Sequence, residues 1–181
     1  AAYEESVSDI ARVVTVAFCD LAVRAVEVEC TLAAGLPGLS IFGLAYIAVS
    51  EAREREDLHC PLVFGVAAKA DYHQPYAIDL PKEGAHFDLA IALAILSAIE
   101  AIPDDCLQET LAIGALSLDG RLNAVTGALP AALHAAENGL SLLCPQACGA
   151  EAAWVETTPV ISADTLGRLI QHLNGQAVIS P

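Results

Sequence analysis

Val26, Val28, Cys30 and Leu32 are apolar while Glu27, Glu29 and Thr31 between them are polar. A period of two places alternate side chains on opposite faces, so this stretch predicts a half-buried strand. Upstream, Arg12 to Phe18 is rich in β-branched residues and predicts a second strand. Gly35-Leu36-Pro37-Gly38 punctuates the pattern. After it, Leu39 to Phe42 reads as a short strand leading into a helix at about 44–57, where Glu51 and Arg55 fall at i,i+4. Apolar Leu62 to Ala68 is followed by the more polar Lys69 to Tyr76, and the segment 60–80 reads as two weak strands around a loop.

The run Leu89 to Ile99 is apolar on every side and too long for an ordinary strand, which predicts a helix buried in the core. Leu111 to Leu118 and Arg121 to Val125 flank Asp119-Gly120, a dipeptide suited to a type I′ hairpin turn. Pro130 fits the first turn of a helix that reaches Asn138 and stops at Gly139. Leu140 to Cys144 predicts a strand, and Glu151 to Trp154 the end of a brief helix. In the last helix Leu166, Leu169, Ile170 and Leu173 repeat at i, i+3, i+4 and i+7, with Ser162 as the expected cap and Gly175 as the stop. Strands come first and strand–helix alternation follows. The order predicts an α+β fold in two layers, sheet and helix, with residues 1–10 a flexible acidic tail and 11–181 one domain.

Composition narrows the possibilities. Hydrophobic residues make up 55% of the 181 and charged residues 17%, which is enough apolar material for a sizeable core. No apolar run approaches the roughly 20 residues of a membrane helix, and Ala1-Ala2-Tyr3-Glu4-Glu5 lacks the basic start of a signal peptide, so a soluble cytoplasmic domain without membrane contact is expected. Eight basic against 23 acidic residues give a net charge of −15, a field that repels polyanions. Direct nucleic-acid binding by this domain alone is therefore not expected. Six cysteines stand mostly inside apolar runs and predict buried free thiols. Cys144-Pro-Gln-Ala-Cys148 lacks the second ligand pair of a zinc ribbon, so no metal site is expected.

The chemistry is most concentrated in Pro81-Lys82-Glu83-Gly84-Ala85-His86-Phe87-Asp88, a turn that feeds the buried helix. A helix N-terminus presents orphan amides and a positive dipole end, so such a turn can hold a nucleophile or a capping group. The segment resembles the Pro-Lys-Asp-Gly-x-Ser motif of Lon-type serine proteases, and more closely the Pro-Lys-Glu-Gly motif of the magnesium-chelatase-like ComM/YifB family. The likeness continues through Gly35-Leu36-Pro37-Gly38, Glu51-Ala52-Arg53-Glu54-Arg55 and Gly114-Ala115-Leu116-Ser117-Leu118-Asp119-Gly120. The resemblance implies a Lon protease-like domain with the ribosomal S5 domain 2-like fold, standing ahead of an AAA+ motor. ATP and Mg are expected in that motor, and no cofactor in this chain, which has no P-loop. It also implies a homo-oligomer formed through or alongside the motor, and a parent protein acting in DNA branch migration during natural transformation.

Lon-type hydrolysis needs a serine hydroxyl and a lysine amine within hydrogen-bond reach. Matching Pro81, Lys82, Glu83 and Gly84 to the family motif puts His86 at the nucleophile position. Matching Gly114, Gly120 and Gly127 puts Leu129 at the position of the base. Neither partner is present, and the resemblance therefore implies a pseudoenzyme. His86 and Asp88 invite acid/base or metal chemistry; the favoured expectation is that Asp88 caps the helix and His86 is a polar turn residue. Lys82 and Glu83 read as a surface ion pair or backbone contact.

Two departures stand out. Gly43-Leu44-Ala45-Tyr46 replaces the family's Gly-Leu-Pro-Asp, and Pro75 interrupts the strand expected before the motif. Two other functions compete with the pseudoenzyme: a peptidase with an unrecognised nucleophile, such as a cysteine served by His86, and a part of a true magnesium chelatase.

Overall fold

The computed structural model describes residues 11–19, 22–33, 39–42, 63–70, 84–98, 100–117 and 119–181. The expectations for residues 1–10, for the helix at 44–57, for Pro75 and for Pro81, Lys82 and Glu83 lie outside these. The first strands are β1 (Ala11–Cys19), β2 (Ala22–Ala33), β3 (Leu39–Phe42) and β4 (Val63–Ala70). They are followed by α1 (Asp88–Ala98), β5 (Thr110–Ala112), β6 (Ala115–Leu116), β7 (Leu122–Asn123) and α2 (Ala128–Glu137). Last come β8 (Ser141–Pro145), α3 (Gln146–Ala152), β9 (Val160–Ala163) and α4 (Leu166–Leu173).

Seven strands form one sheet in the order β3-β4-β2-β1-β5-β8-β9, and β6 and β7 form a separate pair. β2 runs antiparallel to both β1 and β4, whereas β1–β5, β5–β8, β8–β9 and β3–β4 are parallel. The mixture of helices and a mostly parallel sheet agrees with an α+β chain. The alternation predicted at 26–30 is present: Val26, Val28 and Cys30 are buried, and Glu27 and Glu29 flank Arg12 of β1 at 3.5 and 3.4 Å.

The two expected layers become three around β5, β8 and β9. Val13, Ala17, Val28, Ala112, Leu143 and Ile161 face one core with α1 and α4. Val16, Leu111, Ile113, Leu142 and Cys144 face a second core with α2 and α3. Strands buried on both faces need helices on both sides; the crossovers β5–β8 and β8–β9 supply α2 and α3 to one face, and α1 and α4 cover the other. The continuous apolar character of Leu142-Leu143-Cys144 carries that information. α2 packs through Ala128, Ala131, Ala132 and Ala135, a stripe of small residues at i, i+3, i+4 and i+7.

Two local expectations change. The hairpin forms, but Gly120 alone is left-handed, with φ 86°, while type I′ requires it of both central residues. Its amide donates to Ser117 O at 2.9 Å, and Ser117 N donates to Arg121 O at 2.9 Å, which is a three-residue loop with glycine at the bulge position. Ser162 lies inside β9 and does not cap α4. Thr165 does, its side chain accepting from Arg168 N at 3.2 Å. Of the two weak strands expected in 60–80, one is present as β4, paired on both sides, and residues 60–62 and 71–80 lie outside the described residues.

Thr15 of β1 is fully buried in the sheet, and its hydroxyl has no hydrogen-bond partner among the described residues. A buried unmet hydroxyl costs about 1–3 kcal/mol. Thr15→Val removes that group at nearly constant shape, and its urea midpoint is expected to rise by an amount equivalent to about 1 kcal/mol.

Candidate functional site

The turn before α1 is fastened to two other parts of the domain. Residues Gly84–Phe87 form one 3₁₀ turn that runs directly into Asp88, the first residue of α1. Gly114 N donates to His86 O at 3.0 Å, and Leu89 N donates to Gly114 O at 3.0 Å. Leu116 N donates to Asp88 Oδ2 at 2.9 Å. The glycine motif that begins at Gly114 therefore lies alongside the turn and satisfies amides and carbonyls that the helix start leaves over. Room is limited there: a Cβ on Gly114 would stand 3.1 Å from Pro145 Cγ.

His86 is buried, with 7% of its surface exposed, and its Nε2 lies 2.8 Å from Val16 O. A carbonyl oxygen only accepts, so Nε2 must carry the proton and donate it. The imidazole joins the turn to the middle of β1, 70 positions earlier. His86 is the expected polar residue of the turn, but it points into the domain, which the sequence did not signal. Asp88 is also buried, at 1% exposure, and its Oδ2 reaches across to β6, where it accepts from Leu116 N. It still sits at the positive end of α1, so the anion is placed where the dipole favours it.

The second motif position is different. Leu129 lies in the first turn of α2, is 36% exposed, and its amide donates to Glu151 Oε1 at 3.1 Å. Gly127 caps this helix with φ 94°. Phe18, at the end of β1, lies against both motif regions. Its ring centroid is 5.2 Å from that of His86, and its Cζ is 2.5 Å from where a Cβ on Gly127 would be. The Phe87 ring also lies against His86, tilted by 32° with ring centroids 4.2 Å apart. Sequence reading missed Phe18. Its only signal is an aromatic ring ending a β-branched run.

The chemistry of this arrangement follows. His86 touches two aromatic rings and its Nε2 donates to a backbone carbonyl, while Leu129 supplies only hydrocarbon at the second motif position. Gly120 serves the hairpin loop and also accepts from Leu166 N at 2.9 Å, tying the loop to α4. Its role is architectural. The described cysteines, Cys30, Cys106, Cys144 and Cys148, are all free. Burial pushes the Cys30 thiol up to about 12, and burial with the neighbouring Cys148 does the same for Cys144. Burial and Asp105 raise Cys106 to about 11. A nucleophilic cysteine requires the opposite shift. Among the described residues no group of three potential ligands could hold a metal, and no helix is long and apolar enough to cross a membrane.

The raised thiols carry a consequence for stability. From an ordinary value of 9.0 the folded Cys30 and Cys144 move to about 12, so between these values the folded chain keeps protons that the unfolded chain releases. Stability from these groups is fully present below pH 9 and falls as pH rises towards 12, by at most roughly 1.4 kcal/mol per pH unit for each thiol. Urea midpoints are expected to fall steeply across that window, and less steeply in a Cys30→Ala/Cys144→Ala variant.

A family model described as subunit ChlI of Mg-chelatase matches residues 74–147, the stretch that contains both motif regions. An uncharacterized protein of Mycobacterium tuberculosis strain H37Rv is 36% identical over 170 residues, covering 92% of this chain and 33% of its own length. Competence protein ComM of Haemophilus influenzae is 34% identical over 152 residues, 83% of this chain and 30% of its own. YifB of Escherichia coli K12 is 31% identical over 159 residues, again 83% and 30%. The chain spans about a third of the length of these relatives.

Proposed function

The chain belongs to the ComM/YifB family of magnesium-chelatase-like proteins, and on that premise we propose that it is a noncatalytic, Lon protease-like module that assembles or regulates an ATPase. The reading takes the fold as ribosomal S5 domain 2-like and the motor as the portion of the relatives that this chain does not span. ATP and Mg belong to that motor. One observation carries the noncatalytic part: His86, at the nucleophile position, is buried and donates Nε2 to Val16 O at 2.8 Å, with Phe18 lying against both it and Gly127. Leu129 offers no base. The hydrogen bonds of Gly114, Leu116 and Asp88 give the motif residues a structural task that does not involve a substrate.

The name of the Haemophilus relative refers to competence, and the whole protein is proposed to act on DNA during natural transformation, by branch migration. With a net charge of −15 this module is poorly suited to contact phosphates itself, so the DNA contact is assigned to the motor. Multi-angle light scattering of the chain, alone and joined to the ATPase portion of its parent, tests the assembly role. The expected result is an oligomer for the joined protein, with a smaller species when the module is removed. A strict monomer both alone and joined would overturn it.

A further inference from the structure

Helix α2 buries its alanines and exposes its leucines. Ala128, Ala131, Ala132 and Ala135 are fully buried, whereas Leu129 and Leu133, one turn apart, are 36% and 50% exposed. A helix with five alanines and two leucines ordinarily turns the leucines inward, where burial gains more. Beside this face stands Trp154, the single tryptophan of the chain, 82% exposed. It lies between Glu151, whose Oε1 accepts from Leu129 N at 3.1 Å, and Thr158, whose hydroxyl donates to Ala132 O at 3.4 Å, so the segment that carries it runs alongside α2. Isolated exposed leucines need no explanation; two leucines on a helix with a tryptophan in the turn that runs beside it are the pattern of a contact surface.

The surrounding charge selects the occupant. Between Arg121 and Arg168 the sequence holds no lysine or arginine, whereas Glu137 stands four residues after Leu133, Glu151 accepts from Leu129 N, and Glu156 follows Trp154 by two. Arg121 and Arg168 are themselves matched with Asp119 at 3.3 Å and Asp164 at 4.0 Å. An apolar patch with an acidic rim repels a second copy of itself, and the net charge of −15 on each copy adds to that. We propose that the Leu129–Leu133–Trp154 face docks a segment of a partner protein with an apolar stripe edged by lysine or arginine. The helix-in-groove mode, with anchors at i and i+4, suits it. This goes beyond the assembly reading, because it holds for any partner and whether or not a motor is attached.

Trp154 is its own reporter. The 181-residue chain is titrated with a synthetic amphipathic peptide of leucine and lysine, and with the same peptide carrying glutamate in place of lysine. The lysine peptide is expected to shift the tryptophan emission to the blue and protect it from acrylamide, and the glutamate peptide to do neither. Leu133→Asp, with an unchanged circular dichroism spectrum, is expected to weaken the lysine peptide by about tenfold; Leu133→Asn provides the same test if the aspartate variant unfolds. Attraction by bulk charge alone would leave Leu133→Asp binding as well as the parent or better, and that result overturns the proposal. So does a response to neither peptide. A blue shift produced merely by concentrating the chain would show that a second copy covers the face, and would also overturn it.

Discussion

Gly127→Ala is expected to destabilise the domain by about 3 kcal/mol or more, the largest effect of any single methyl group added here. Two costs combine. Gly127 has φ 94°, and holding a residue with a Cβ in the left-handed region costs roughly 1–2 kcal/mol. The new methyl also stands 2.5 Å from Phe18 Cζ and 2.9 Å from both neighbouring ring carbons. Phe18 cannot simply swing aside, because His86 lies against the same ring and Val23 and Val125 share its cluster. Overpacking of that kind adds about 1–3 kcal/mol. For a chain of this size each kcal/mol lowers Tm by about 2–4 °C, so a thermal scan reads the change directly. Phe18→Ala/Gly127→Ala separates the costs: relief of the clash makes the double variant markedly more stable than the sum of the single effects, leaving the backbone part. Strict additivity would show that the ring does not press on this glycine.

Asp88→Ala is expected to cost about 2–4 kcal/mol. The carboxylate is 1% exposed, and its Oδ2 takes the Leu116 amide at 2.9 Å, so truncation leaves a buried donor without its acceptor and removes an anion from the positive end of α1. Asp88→Asn keeps an oxygen in place and is expected to recover about half of the loss. Urea unfolding of the two variants checks this. A cost below about 0.5 kcal/mol for Asp88→Ala, the range of ordinary surface changes, would contradict the structural role given to this residue.

What the sequence made legible was local. The period of two at Val26, Val28 and Cys30, the fully apolar stretch that became α1, the Asp119-Gly120 reversal and the stop at Gly139 each depend on neighbours within a few residues. Each forms as that chemistry requires. The turn type and the cap of α4 were misread for a related reason: Ser162 and Thr165 are both good caps, and only the extension of β9 to Ala163, set by pairing with Pro145 of β8, removes the serine from contention. Long-range partners carried no local signal. Nothing near His86 indicates that its Nε2 will reach Val16, and nothing near Asp88 identifies Leu116. The sheet order, which places β1 between β2 and β5, brings Phe18 to both motif regions, and that order depends on pairings far apart in the chain. Double-sided burial was visible only as the lack of alternation in Leu142-Leu143-Cys144.

The noncatalytic reading makes Phe18, His86 and Gly127 one packed unit, with the imidazole serving as a clamp between the α1 turn and β1. That view also accounts for a histidine where the protease motif has an alcohol: an imidazole can reach a strand carbonyl that a serine side chain is too short to reach. The most direct test is hydrolysis of a fluorescent casein by the chain and by His86→Ala at equal concentration. The account predicts no cleavage above buffer for either protein, with His86→Ala losing stability alone. Cleavage by the parent chain that disappears in His86→Ala, while the variant remains folded, would contradict it.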